Sequence, residues 1–142
     1  MKLNLGCGNN KLKGYINIDV NEDHKPDLIL DFASQQLLWE NESIDEVCMF
    51  HTIEHIARDR HPMIFAEINR VLKHRGSLYL SYPNFKVCFD YWLRNYKGDR
   101  EFWERTMLGR ATNLYEVHRC IMVDSEVTAF LREYGFDNIK IR

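Results

Sequence analysis

The sequence Leu-Asn-Leu-Gly-Cys-Gly at residues 3–8, followed by an aspartate at Asp19, decides the fold of this chain. Polar and apolar residues alternate over residues 2–5, which predicts a short strand that ends in a tight turn at the two glycines. Residues 15–20, Tyr-Ile-Asn-Ile-Asp-Val, alternate again and predict a second strand that carries Asp19 near its end. Two glycines alone also suit an ordinary turn, but the added acid favours a binding site.

The ligand expected at this turn is a nucleoside without a pyrophosphate. Ligands of open α/β sheets lie beyond the carboxyl ends of the strands, where glycine lets the backbone approach them. A carboxylate has two accepting oxygens, so Asp19 can receive both hydroxyls of a ribose. A dinucleotide is disfavoured, because Lys11 stands where its fingerprint needs a third glycine and Asp19 follows Gly8 by only 11 residues. The connection is also too short for the helix that would hold a pyrophosphate.

The remaining sequence predicts one domain over residues 1–142. Strands are expected at residues 2–5, 15–20, 28–32, 44–50, 77–82 and 138–141. One helix is expected between Pro62 and Gly76, and further helices over residues 85–96, 99–107 and 127–134, the last with Asp124 or Ser125 as N-cap and Gly135 as its stop. This alternation predicts an α/β fold, a Rossmann-like and mainly parallel sheet of about six strands with flanking helices and shortened first crossovers.

The chain resembles the class I S-adenosylmethionine-dependent methyltransferases, and within them a small bacterial and phage subgroup. The stretches that carry the resemblance are residues 3–8, 14–19, 43–47, 50–56 and 67–73, then Gly76, Pro83, Asn84, His118 and residues 131–136. The resemblance implies S-adenosylmethionine as the cofactor and methyl transfer as the activity. The family sheet normally ends with an antiparallel strand, and nothing after Arg142 could form it, so we expect that strand to be missing.

The resemblance also implies a role for each matching cofactor-binding position. Gly6, Cys7 and Gly8 would lie against the methionine part of the cofactor, and Asp19 would bind its ribose. Asp31, with Phe32 beside it, would contact the adenine amino group. The alternative for Asp31 is an ordinary acid in the turn that ends a strand.

Three further positions concern the transfer step. Phe50 and His51, at the end of the fourth strand, would line the pocket near the sulfonium. If the acceptor is a hydroxyl, His51 and His118 are the candidate general bases, because histidine titrates near neutral pH. His118 suits an ordinary surface position equally well.

No metal ion is expected from the sequence. His51 and His55 are four residues apart and would share one face of a helix. However, the zinc motif His-Glu-x-x-His requires a glutamate directly after the first histidine, and Thr52 stands there.

The composition and the absence of one motif limit which classes of molecule the protein is expected to act on. The formal net charge of −2 offers no basic excess for phosphate contacts, which disfavours nucleic acid as the main partner. The end of the fourth strand also lacks the Asn- or Asp-Pro-Pro-Tyr run associated with methylation of nucleic-acid bases. We therefore expect a small-molecule or sugar-type acceptor. The alternative is a non-catalytic binding or scaffold domain that keeps a methyltransferase-like fold.

Location and assembly follow from the same sequence. The start shows no signal-peptide core, and no apolar run approaches the roughly 20 residues that span a membrane. The chain is therefore expected to be cytoplasmic. The aromatic stripe from Phe85 to Trp103 suits a core contact or a subunit contact, with a substrate lid as the alternative. The aromatic helix over residues 85–96, the open sheet edge, or both are expected to form a homodimer.

Overall fold

The computed structural model describes residues 1–95, 100–110 and 112–141. Its centre is a sheet of five parallel strands: β1 Lys2–Leu5, β2 Ile16–Asp19, β3 Leu28–Ile29, β4 Ile44–Phe50 and β5 Leu72–Ser81. Their order across the sheet is β3-β2-β1-β4-β5. The order therefore reverses between β1 and β4, which is the position where open α/β sheets bind ligands. The predicted α/β fold with a mainly parallel sheet is confirmed.

Alternation along the strands separates an apolar face of the sheet from a polar one. Leu3 and Leu5 of β1 are fully buried in the core, together with Val47 and Met49 of β4. Asn4 lies between the two leucines in sequence and is also buried. Its burial is tolerated because its side-chain amide donates to Asn17 Oδ1 over 2.9 Å.

The polar face explains how β1 and β2 connect without a helix. Asn17 Oδ1 also accepts the backbone N–H of Leu12 at 2.8 Å, and Asn4 Nδ2 donates to the carbonyl of Asn10 at 3.0 Å. Side-chain amides thus satisfy backbone groups that a crossover helix would satisfy internally. The shortened first crossovers are confirmed, since the β2–β3 connection holds only a single 3₁₀ turn, Glu22–His24.

Four helices accompany the sheet in the described residues: α1 His61–Val71, α2 Phe85–Arg94, α3 Arg100–Leu108 and α4 Asp124–Glu133. Ile64, Ile68 and Val71 recur at helical spacing and form the buried face of α1. Phe65 of α1 packs edge-on against Phe130 of α4, with ring centroids 5.4 Å apart. The predicted ends at Tyr96 and Asp99 lie outside the described residues.

The predicted sixth strand is wrong for the described residues 138–141, which form no strand. Asn138 has a φ of +48°, in the left-handed region, and this turns the chain away from the extended conformation. Ile139 still packs against the core, whereas Ile141 is exposed. The alternating sequence of residues 138–141 therefore belongs to a loop that Ile139 anchors to the core.

Three other predicted boundaries need correction. Strand β3 stops at Ile29, because Asp31 begins a turn in which its carbonyl accepts the N–H groups of Ser34 and Gln35. Gly76 lies inside β5 and does not end α1.

Helix α4 begins one or two residues earlier than expected, so its N-cap is Val123 and neither Asp124 nor Ser125. Asp124 instead accepts the Tyr82 hydroxyl at 2.8 Å. Gly135 does end this helix, with a φ of +87°. None of the described helices combines the length and apolar character needed to cross a membrane.

Candidate functional site

The ends of β1 and β4 meet closely where the strand order reverses. Gly6 follows β1 with a φ of +67°, and a Cβ added there would lie 2.2 Å from Thr52 Cγ2. Thr52 Oγ1 lies 3.2 Å from the Gly6 carbonyl oxygen and donates to it. Glycine is therefore required at position 6 both by its backbone conformation and by the neighbouring side chain.

Asp19 holds the same turn from the β2 side. Its Oδ2 accepts the Gly8 N–H at 2.7 Å and its Oδ1 accepts the Asn21 N–H at 2.9 Å. A carboxylate offers about four lone-pair positions, so these two bonds leave accepting capacity on both oxygens. Gly8 has a φ of +50°, and a Cβ added there would meet nothing within 4 Å. An acceptor pair beside open backbone fits the ribose and adjacent chain of a nucleoside ligand.

Cys7 lies between the two glycines and is a packing residue. Its N–H donates to the Ile18 carbonyl at 3.0 Å, and its side chain is buried. Burial raises the pKa of the Cys7 thiol, and the negative charge of Asp19 raises it further. Cys7 therefore remains a neutral thiol at the back of the turn.

Asp31 and Phe32 lie beyond β3, at the edge of the sheet. Asp31 Oδ2 accepts the Ser34 hydroxyl at 2.6 Å and Oδ1 accepts the Ala33 N–H at 3.2 Å. Phe32 is 7% exposed and belongs to the core. Asp31 thus has the contacts of a turn-forming acid, and its contact with adenine stays a prediction.

Phe50 and His51 end β4, next to the turn that Gly6 begins. Phe50 is half-buried and pairs with Ser81 of β5, and His51 donates its N–H to the Ser81 carbonyl at 3.0 Å. His51 has a φ of +50°, a left-handed conformation that is uncommon outside glycine but that histidine adopts more often than most residues. Such conformations concentrate at functional sites.

A buried glutamate follows His51 in the 3₁₀ turn Ile53–His55. Glu54 is 1% exposed, and its Oε1 lies 3.3 Å from His51 Nδ1. Interaction with this carboxylate raises the pKa of His51. His51 and His55 do not share a helix face as expected, because the segment is a single 3₁₀ turn.

His118 reaches this turn from a distant segment. The backbone N–H of Arg119 donates to the Glu54 carbonyl at 2.7 Å, which fixes the segment across the turn. The rings of His55 and His118 then meet edge to face with centroids 4.8 Å apart. Burial lowers the pKa of His118, and the neighbouring His55 lowers it further.

A shallow cleft, open to solvent, lies beside this cluster. Glu54 and His118 form its polar part, and Pro83, Phe85 and Met107 contribute apolar surface. The cleft follows the ends of β4 and β5, whereas the Asp19 turn follows β1 and β2. The cleft and the Asp19 turn therefore lie side by side at the edge of the sheet where the strands end.

Sequence reasoning identified most of these residues separately but missed Glu54 and Thr52. The structure brings Gly6, Cys7, Gly8 and Asp19 together and brings His118 to His55 and Glu54. The available signal for Glu54 was a carboxylate between Ile53 and Ile56, shortly after a predicted strand end.

Solved structures with the same fold come from several organisms. An S-adenosylmethionine-dependent methyltransferase from Archaeoglobus fulgidus has a TM-score of 0.70 and 17% identity, covering 98% of this chain and 62% of that one. One from Methanosarcina mazei has a TM-score of 0.66 and 20% identity, covering 95% and 78%. One from Thermotoga maritima, titled a possible histamine N-methyltransferase, has a TM-score of 0.66 and 18% identity, covering 96% and 64%. This chain thus spans less than two thirds of the Archaeoglobus and Thermotoga proteins.

The family itself is shown by a sequence model. The comparison with curated protein sequences gave no significant match. A family model described as a methyltransferase domain matches residues 3–80, which is more than half of the 142 residues and runs from β1 almost to the end of β5. The family and its structural relatives imply S-adenosylmethionine as the cofactor, and the Asp19 turn fits that group. The chain therefore belongs to the methyltransferase domain family of class I S-adenosylmethionine-dependent methyltransferases.

Proposed function

We propose that this chain transfers a methyl group from S-adenosylmethionine to a small-molecule or sugar-type acceptor. The observation that carries the proposal is the Asp19 carboxylate bonded to the Gly8 N–H at the edge where the strand order reverses. The family match and the fold support the reaction class, and the acceptor class rests on the net charge of −2, which offers no basic excess for nucleic acid.

The cofactor side of the site would be formed by the turn after β1 and by the end of β2. Asp19 would accept the ribose hydroxyls, while the open face of Gly8 would let the methionine part lie against the backbone. Asp31, Phe32 and Phe50 are the residues assigned to the adenine and sulfonium ends by the resemblance. When bound, S-adenosylmethionine supplies an electrophilic methyl group.

The acceptor would occupy the cleft beside Glu54 and His118. The cleft is shallow and open to solvent, so an acceptor would lie partly at the protein surface. The apolar surface of Pro83, Phe85 and Met107 would hold the acceptor body, and the polar residues would orient its reactive group. Such positioning lowers the barrier by about 7–11 kcal/mol in well-oriented cases.

Proton removal from a hydroxyl acceptor is assigned to His51 or His118. His118 lines the cleft, and His51 contacts Glu54 on its other side. A positioned base typically contributes about 10²–10⁴-fold in rate.

Calorimetric titration of the full chain tests the proposal. S-adenosylmethionine and S-adenosylhomocysteine should bind one per chain, and NAD should not bind. Binding of NAD, or no binding of either sulfur compound, would overturn the cofactor assignment. Binding without methyl transfer to any hydroxyl-, amine- or sugar-containing acceptor tested would favour the non-catalytic domain.

A further inference from the structure

We propose that Glu54, His55 and His118 bind a divalent transition-metal ion at the edge of the cleft. One ligand atom from each of the three residues can be chosen so that all lie within 4.8 Å of one another. The three residues come from two segments, the Ile53–His55 turn and the segment around His118. The proposal concerns ion binding, and a His118 that binds the ion leaves His51 as the candidate base for a hydroxyl acceptor.

The first argument is the state of the Glu54 carboxylate. The residue is 1% exposed, and neither oxygen has a hydrogen-bond donor within the described part of the chain. The His51 ring lies at ion-pair distance from Oε1 alone, and its side chain is 66% exposed. Oε2 therefore has no partner among the described residues, and Oε1 meets only this exposed ring. A buried carboxylate held so weakly is unfavourable, and a bound cation would explain it. A cation held between Glu54 and the two histidines would compensate both oxygens' lost hydration.

The second argument is the orientation of the His55 ring. His55 Nδ1 lies 3.2 Å from the Val117 carbonyl oxygen, which can only accept, so this nitrogen carries the proton. The other nitrogen, Nε2, therefore keeps its lone pair. Metal-binding histidines are normally held in this way, with one nitrogen bonded to a carbonyl and the other free for the ion.

The third argument is the rigidity of the frame. Both Arg119 and Cys120 donate their N–H groups to the Glu54 carbonyl, at 2.7 and 3.3 Å. The His118 N–H donates to the Leu108 carbonyl at 3.0 Å. The backbones of the ligand residues are thus fixed, and only side-chain rotation is needed. Metal–ligand lengths of about 2.0–2.2 Å place tetrahedral ligand atoms roughly 3.4 Å apart, so atoms that now lie up to 4.8 Å apart must approach by up to about 1.4 Å.

The donor set indicates the class of ion. Two imidazole nitrogens and one carboxylate oxygen suit zinc, iron, cobalt or manganese, whereas magnesium prefers oxygen ligands. Three protein ligands leave coordination positions free, as in catalytic zinc sites and unlike closed structural ones. Because Glu54 and His118 line the cleft, a small molecule bound there could place an oxygen on the ion.

The test is titration of the chelator-treated full chain with Zn²⁺ and with Co²⁺. Calorimetry should give one Zn²⁺ per chain, and bound Co²⁺ should give the visible absorption of a nitrogen- and oxygen-ligated site. Affinity should fall by about tenfold or more in Glu54→Gln, His55→Ala and His118→Ala, since even outer partners of such sites cost about 10–100-fold. Mg²⁺ should bind far more weakly than Zn²⁺.

Two control variants make the result decisive. His74→Gln removes an exposed histidine outside the cluster and should bind Zn²⁺ as the wild type does. Cys120→Ser removes the neighbouring thiol, which also lines the cleft, and should keep the site. Absence of Zn²⁺ and Co²⁺ binding in the wild type would overturn the proposal, as would unchanged affinity in Glu54→Gln. Glu54→Gln is nearly isosteric and neutral, so it tests the site even if a histidine variant fails to fold.

Discussion

The carboxylate of Asp19 accepts the backbone N–H of Gly8 at 2.7 Å, so the acid at the end of β2 holds the turn that follows β1. The two halves of the nucleoside site are therefore joined before any ligand arrives. A site organised in this way avoids part of the ordering cost of binding.

The first prediction is that Asp19→Ala weakens S-adenosylmethionine binding. The variant loses bonds from the ribose hydroxyls to a charged acceptor, each worth about 1.5–3 kcal/mol, or roughly 10–150-fold in affinity. Calorimetry measures the change. Asp27→Ala is the matched control, because Asp27 also holds backbone of β2, through the Asn17 N–H at 2.8 Å, without lying at the ligand edge. Equal losses in both variants would mean that Asp19 acts only on the loop.

The second prediction separates space for the ligand from stability of the turn. Gly8→Ala adds a methyl group where the protein leaves open space, so its melting temperature should change little more than that of Gly14→Ala. Both glycines have positive φ, +50° and +84°, and neither added Cβ meets an atom within 4 Å. Only Gly8 lies beside Asp19, so only Gly8→Ala should weaken cofactor binding, by about tenfold or more for a 1.4 kcal/mol clash. Unchanged affinity in Gly8→Ala would show that the cofactor does not bind against this surface.

The third prediction concerns acid stability. Hydrogen bonds from Arg70, aided by the Leu37 N–H at 3.0 Å, hold the pKa of Glu67 below its usual 4.5. Folding therefore favours the ionised form, so its stabilisation is present above pH 4.5 and is lost as pH falls through the lower folded-state value.

Urea unfolding of wild type and Glu67→Gln at several pH values measures this effect. The difference between them should be roughly 1–3 kcal/mol near pH 7 and should shrink below pH 4.5. Glu133→Gln, on the exposed side of α4, should show no comparable change. A difference that is constant with pH would contradict the assignment.

The fourth prediction is a homodimer through α2. None of the residues of this helix is buried, and Val87, Tyr91 and Leu93 are 61%, 58% and 55% exposed. Trp92 packs against Trp103 of α3, with ring centroids 5.9 Å apart, so part of the expected stripe makes contacts within the chain. The exposed Val87, Tyr91 and Leu93 are the apolar surface available to a second subunit. Light scattering should give twice the chain mass of 17.0 kDa at micromolar concentration. Val87→Lys should shift the mass toward the monomer, and a wild-type mass of 17.0 kDa at all concentrations would exclude the dimer.

Local patterns predicted the part of the fold that positions the cofactor. The alternation in β1 and β2 and the turn at Gly6 depend on neighbouring residues only, so they could be deduced from the sequence. The strand expected at residues 138–141 failed because four alternating residues do not exclude a left-handed turn at Asn138. Glu54 was missed because its environment depends on the approach of His118 from a separate segment, which no local pattern encodes.

The bond between the Arg119 N–H and the Glu54 carbonyl has a consequence for experiment. It ties the cleft wall to the same residue whose carboxylate lies within the cleft, so movement of that wall must break it. The Arg119 amide should therefore exchange with solvent deuterium only when the wall separates from the Ile53–His55 turn. The exchange rate of this one amide therefore measures how often the acceptor side of the site opens.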